Sequence, residues 1–587
     1  MNRFLVIFTI LFTMILTNGL TQEDLAWVQR SNENSRILLE IIAKTAPESA
    51  AEIGMAGFDD QIVDLTPGFE EREMAMLENA LVALREKLTQ ENHPAVRQDL
   101  EILIESAQLT IEEINLQKKY ELPYYNVPGI VYRGIRTLLD EQVAPERRKA
   151  SLKRLRKYAG VEPGYVPLTQ LAQTHLREHL EESGLMVPVK AEIEKNLANS
   201  PRFMAELNDL FDTYAIKDYE VPFGILQKQI LDYDEFVKEA LLSRARTDFR
   251  LPQEIYAFRL RNRYGVDMQL EDLEQRAKTE FKELQTHMQV LAQEIIKQKN
   301  LPAGDYRDVL RILKAEQFEG EEILAIYRAM QDSLEVVVKR EKIVTLPERD
   351  IIIRLASEAE SAMVPSPHMD PPRLIGNTGE MGEFILPLQY FGKEGESNLK
   401  MDDFTFRAVA WPLIVHEGRP GHELQFALMV EKGVSLARVL FAMNSVNVEG
   451  WALYMENEML PYLPLEGQLS TLWSRLARSA RAFLDPGLQS GKITPEQALK
   501  ILQEDVCVSE ALAQSELERY TFRAPGQATS YYCGYARMME LRMDTELLMG
   551  DKFDSQAYHD FLLSQGAIPP HLLRRAVMEE FVGEGDK

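Results

Sequence analysis

The chain has 587 residues, of which 45% are hydrophobic and 27% charged, so it can bury a large core and does not have the composition of a disordered chain. Its formal net charge of −26 excludes a nucleic-acid partner, because phosphate backbones are bound by clustered Lys and Arg. The acid surplus reads as a solvated surface.

The amino terminus, MNRFLVIFTILFTMILTNGLTQ, has one basic residue, Arg3, then an apolar run from Phe4 to Leu16, then small and polar residues. That layout is a secretory signal peptide over residues 1–19, cleaved after Gly19, and it predicts an exported protein, periplasmic or extracellular. The run is shorter than the roughly 20 residues of a membrane span, and no later stretch is long enough to be one. No cysteine follows it to carry a lipid.

From residue 20 to 370 the pattern is helical. Apolar residues recur at steps of three and four from Leu273 through Ala277, Phe281, Leu284, Met288, Leu291 and Ile295, which is an amphipathic helix of about seven turns. Proline and glycine clusters break the pattern at 121–129, 160–168 and 364–376. Within THLREHLEES, His175, Glu178 and His179 fit the inverted zinc pattern H-x-x-E-H, but the charged flanks read as a solvated helix face and no matching ligand segment follows. His368, in the last proline-rich break, reads as a loop residue.

Residues 371–587 form a second helical region. Its one strand candidate is Glu383 to Phe391, EFILPLQYF. The expected fold class is therefore mainly α, with at most a small β element near 383–391. Cys507 and Cys533 are too few for a disulfide framework; they either pair or are buried as small apolar residues.

Chemistry concentrates at VHEGRPGHELQ, Val415 to Gln425. In H-E-x-x-H two histidines four apart share a helix face and bind zinc, with the glutamate as general base. Here His416 and Glu417 are in place, but the second histidine is His422, six residues on. On an unbroken helix such positions diverge by about 120°. Pro420 cannot donate to the carbonyl of His416, and Gly418 and Gly421 free the backbone on either side, so a kink or bulge near Pro420 is expected to return His422 to the same pocket. In VNVEGWALYMENEM, Glu449 begins a helical segment and offers a third ligand, with Glu456 seven residues later on the same face. The alternative is an ordinary amphipathic helix with its acids in water. Side chains more than about 8 Å apart would rule out shared ligation at bonds of roughly 2 Å.

The run from His416 to His422, with Gln425 after it, resembles the H-E-G-x-P-G-H-x-x-Q signature of the bacterial DUF885 family, grouped with zinc metallopeptidases. Further matches follow in the family's order: Glu449-Gly450-Trp451-Ala452-Leu453-Tyr454, LDPGLQSGKITPEQA (484–498), ELERY (516–520) and Pro525-Gly526-Gln527-Ala528-Thr529-Ser530-Tyr531. The likeness is firm from Phe404 to Arg542. Gln489 departs from it where family members often have histidine, which weakens any ligand or acid–base role there. The resemblance implies a helical metallopeptidase-like fold with an enclosed cleft. It implies that His416, His422 and Glu449 hold one zinc ion and that Glu417 is the general base for the water that zinc activates. Tyr531 would donate to the developing oxyanion, its alternative being a packed tyrosine beside Tyr532 and Tyr535. Arg519 and Gln527 would touch substrate, although Arg519 also has Glu516 and Glu518 as ion-pair partners. The function implied is an exported zinc metallopeptidase for short peptides. A zinc amidase or esterase uses the same base, and a silent metal-binding protein would have no need of Glu417.

Overall fold

A computed structural model of the chain describes residues 22–320, 322–392 and 397–583; the signal peptide expected at 1–19 lies outside the described residues. The fold is mainly α-helical, as the apolar periodicity requires. The stripe from Leu273 forms the helix Leu270–Lys299, with Leu273, Ala277, Phe281, Leu284, Met288 and Ile295 buried. It lies along the helix Leu465–Gln489, where Phe281 meets Phe483 edge-on at 5.6 Å between ring centroids. This contact crosses from the 20–370 region into the 371–587 region.

The proline and glycine clusters act as helix punctuation. The first separates Pro94–Tyr120 from Val127–Arg136, whose amino end is capped by the Asn126 side chain accepting from Gly129 N. The second separates Ala150–Tyr158 from Leu168–His179, and the third follows Glu358–Met363. The β content is small and partly differs from the single strand expected. Glu383–Leu386 is the centre of a three-stranded sheet, parallel to Ile352–Leu355 and antiparallel to His368–Asp370. The strand stops before Pro387, which has no N–H to donate, and a separate pairing joins Gln389–Tyr390 to Leu399–Lys400. His368 is therefore a strand residue opposite Ile385 and not a loop residue.

Two apolar cores hold the carboxy-terminal region, and the helix Arg407–Glu417 is wedged between them. Its Ala408 and Val409 belong to the core shared with Leu270–Lys299 and Leu465–Gln489. Ala410, Leu413, Ile414 and Val415 belong to the other core, around Tyr327, Phe384, Trp451 and Tyr558. Fully burying a side chain of the size of Ile414 contributes about 1.5–3 kcal/mol, so the helix that carries the first motif residues is held on both sides. Among the described residues no helix is long and apolar enough to cross a membrane. Cys507 and Cys533 are both buried and free, so the pairing alternative is not realised.

Candidate metal centre and its cavity

The helix Arg407–Glu417 presents His416 and Glu417 in its last turn and stops; the chain restarts as the helix His422–Glu431, with His422 at its first position. The expected break near Pro420 is thus present, with the Arg419–Pro420 peptide cis. Glycine is required at 421 by close approach: a Cβ there would collide with the carbonyl oxygens of Val415 and His416. The turn is held from outside. Trp451 Nε1 donates to the carbonyls of Pro420 and Gly421, at 3.1 and 3.2 Å, so the tryptophan of one motif grips the backbone of the other. The buried Arg419 guanidinium is anchored by Glu423 at 2.5 Å and Glu335 at 3.1 Å.

This turn and the helix Ser445–Met459 bring three ligand atoms, one each from His416, His422 and Glu449, within 4.8 Å of one another. Glu449 Oε2 is 3.4 Å from His416 Nε2 and 3.5 Å from His422 Nε2. Bonds of about 2.0–2.1 Å directed tetrahedrally separate ligand atoms by roughly 3.3–3.4 Å, so the donors fit zinc in type, number and spacing. Oε2 is also buried without a hydrogen-bond partner, which a ligating atom would be. Among the described residues no other group of three His, Cys, Asp or Glu side chains is so arranged.

The electrostatics favour a cation here. Burial works against an imidazolium at His416, yet the Glu449 and Glu456 carboxylates that face it, together with Glu417, outweigh burial and raise its pKa to about 9. Burial likewise opposes ionised Glu449, but the two imidazoles hold its carboxyl well below the usual range.

Glu456 is the residue whose role the sequence did not reveal. Its Oε1 lies 2.8 Å from His416 Nδ1, a contact that fixes the ring and leaves Nε2 for the cluster. The only signal was its spacing of seven from Glu449. Further support is structural. Gln425 Nε2 donates to Asn447 Oδ1 at 3.0 Å, tying the His422 helix to the Glu449 helix. His559 sits beneath the same helix, 2.7 Å from both the Tyr454 hydroxyl and the Ile343 carbonyl. Burial first, and then Arg542, depress its pKa to about 3, so it is a neutral packing histidine.

Tyr531 reaches the cluster because two helices approach closely. A Cβ on Gly450 would lie 2.8 Å from Gly534 Cα, so only glycine lets Ser445–Met459 cross Ala528–Met549 at this depth. The Tyr531 ring then runs parallel to His416 with centroids 6.5 Å apart. Its hydroxyl accepts from Arg519 Nη1 at 3.3 Å. His416, Glu417, Glu456, Arg519 and Tyr531 all line one cavity. Gln527 does not: its amide donates to Ser445 Oγ at 3.3 Å, and it is not part of the cavity wall. Arg519 also meets Glu516 at 3.6 Å, which is the ion pair given as its alternative. Gln489 is a backbone tie, accepting from Leu251 N and donating to the Tyr520 carbonyl. Two of the matched motifs are themselves joined, since Asp485 accepts from Gly526 N at 3.0 and 2.9 Å.

The H-x-x-E-H segment forms no such cluster. His175 bonds the Tyr125 hydroxyl at 3.0 Å and His179 pairs with Glu182 at 2.9 Å, on a partly exposed helix face.

Comparison with known proteins adds the fold and the family. No curated protein matches the chain. A candidate lipoprotein of unknown function from Shewanella oneidensis has the same fold, with a TM-score of 0.72 and 21% identity over 94% of this chain and 100% of that one. So does a candidate lipoprotein from Colwellia psychrerythraea, with a TM-score of 0.75 and 18% identity over 94% of this chain and 99% of the other. At such identities the likeness is one of fold alone. The profile described as "Bacterial protein of unknown function (DUF885)" matches residues 47–577, which takes in the amino-terminal half that the motifs left undefined. The chain is therefore a member of the DUF885 family of bacterial proteins.

Proposed function

We propose that the protein is an exported zinc-dependent hydrolase, a metallopeptidase of short peptides, in which His416, His422 and Glu449 hold one zinc ion. The observation that carries this reading is the meeting of those three ligand atoms within 4.8 Å beside a cavity onto which Glu417, the next residue after a ligand, opens. A bound zinc supplies Lewis acidity, polarising the scissile carbonyl and making water acidic near neutral pH. The Glu417 carboxylate accepts a proton from the attacking water and returns it to the leaving amine. The Tyr531 phenol donates to the carbonyl oxygen as that oxygen gains charge, oriented by Arg519 at 3.3 Å. Glu456 keeps the His416 ring aligned. The burial of His416, Glu417 and His422 supports short peptides over folded proteins as substrates. Export is supported by the amino-terminal layout and by the lipoprotein descriptions of both similar structures.

The test combines metal analysis with a peptide-library digest. His416→Ala and His422→Ala are expected to lose zinc. Glu417→Gln is expected to keep zinc and lose about 10²–10⁴-fold in turnover, the range of a general base. Zinc retained by both histidine variants, or full turnover by Glu417→Gln, would refute the assignment, and cleavage of esters alone would move it to an esterase.

A further inference from the structure

Charge is sorted across the cavity. Glu417 and Glu456 stand with His416 on the wall, whereas the helix Leu465–Gln489 contributes Arg478 and Arg481 to it and Arg519 stands beside them. On that side one carboxylate, Glu516, faces the guanidiniums. Arg481 spends Nε and Nη2 on it, each at 2.8 Å, and Arg519 lies 3.6 Å from it. Arg478 is different. Its Nη1 donates to Ser474, at 2.5 Å to Oγ and 3.3 Å to the carbonyl, and Nη2 is 3.9 Å from Glu456 Oε1, beyond hydrogen-bond length. Its Nε is buried and has no hydrogen-bond partner. A guanidinium with an unused donor, inside a cavity and beside other guanidiniums, is suited to the paired oxygens of a carboxylate.

Two further observations locate that carboxylate. Glu456 Oε1 is shared, 2.8 Å from His416 Nδ1 and 3.9 Å from Arg478 Nη2, so the guanidinium stands within about one or two residues of extended chain from the metal-ligand cluster. The remaining wall is mostly apolar, with Leu413, Trp473, Val508 and Leu512 on it beside Ser366.

We propose that this wall, through Arg478, binds the free α-carboxylate of a peptide, with the terminal side chain against the apolar residues, so that the protein is a carboxypeptidase for apolar carboxy-terminal residues. The proposal rests on the hydrolase reading above. Water adds to the carbonyl of the last peptide bond, the C–N bond breaks, and the proton taken by Glu417 passes to the amine of the released amino acid.

The experiment compares the zinc-loaded protein on an N-acylated tripeptide ending in phenylalanine, as the free acid and as the carboxy-terminal amide. The acid is expected to be cleaved about 10- to 100-fold better in kcat/KM, the range of a charge-assisted hydrogen bond. Arg478→Gln should bring the ratio near one, chiefly by raising KM for the acid, and Arg478→Lys should keep part of the preference. Equal cleavage of acid and amide, or cleavage that requires a free amino end, overturns the proposal and leaves the hydrolase reading standing. A preference that survives both Arg478 variants also overturns it. No cleavage of either peptide, or of the same tripeptide with a free amino end, by protein shown to hold zinc overturns the hydrolase reading and this proposal with it.

Discussion

Replacing Glu456 by alanine tests whether the cluster is a supported metal site or three groups that merely meet. Its carboxylate is 1% exposed and accepts from His416 Nδ1 at 2.8 Å, so the substitution removes a buried, charge-assisted hydrogen bond and leaves the imidazole free to turn. Such a bond is worth about 1.5–3 kcal/mol, or roughly 10- to 150-fold in an equilibrium constant. Outer partners of metal-bound histidines typically account for about 10- to 100-fold in metal affinity, so the two estimates agree. The expected outcome is a fall of that size in zinc affinity, measured by competition with a chromophoric chelator. Glu456→Gln retains an acceptor of the same shape and should lose less. A thermal melt of metal-free protein separates this effect from general unfolding. If Glu456→Ala binds zinc as tightly as the parent while His416→Ala does not, the orienting role is wrong.

Two further outcomes follow from the support beneath the site. His559 has its pKa depressed by burial to about 3, against about 6.5 when unfolded, so between those values the unfolded chain binds a proton that the folded chain does not. The stability this group contributes is present above pH 6.5 and is lost as pH falls, by about 2 kcal/mol between pH 6.5 and 5. Denaturant melts of His559→Gln should show a shallower acid slope than the parent, and an unchanged slope would refute the assignment. Gly421→Ala drives a methyl group into the Val415 and His416 carbonyls, so it should cost about 1–3 kcal/mol by overpacking and weaken zinc binding, because the turn carries both histidines. Parent-like stability with parent-like zinc affinity would show that the turn is not constrained there.

The sequence by itself determined what is local. A 3.6-residue apolar period makes Leu270–Lys299 a helix whichever partner it meets, because one stripe must leave water. Gly418, Pro420 and Gly421 are incompatible with a continuous helix, so the break between His416 and His422 was legible, as was the placing of Glu449 and Glu456 on one face. Pro387 similarly accounts for a strand ending before the expected boundary at 391. Only the tertiary structure decided which residues meet across long stretches of chain. Glu456 and His416 are 40 positions apart, and no periodicity couples them. Gln527 and Arg519 were both implied as substrate contacts, yet one turns to Ser445 and the other lines the cavity, because a helix start and the π-helical turn Arg519–Arg523 aim side chains differently. His175 and His179 had the better local spacing for a metal, but among the described residues no third ligand atom comes close enough to complete them. A ligand set, and a cavity with sorted charge, require several segments packed at fixed distances; that packing is set by the two cores around Arg407–Glu417, not by any one segment's own preference.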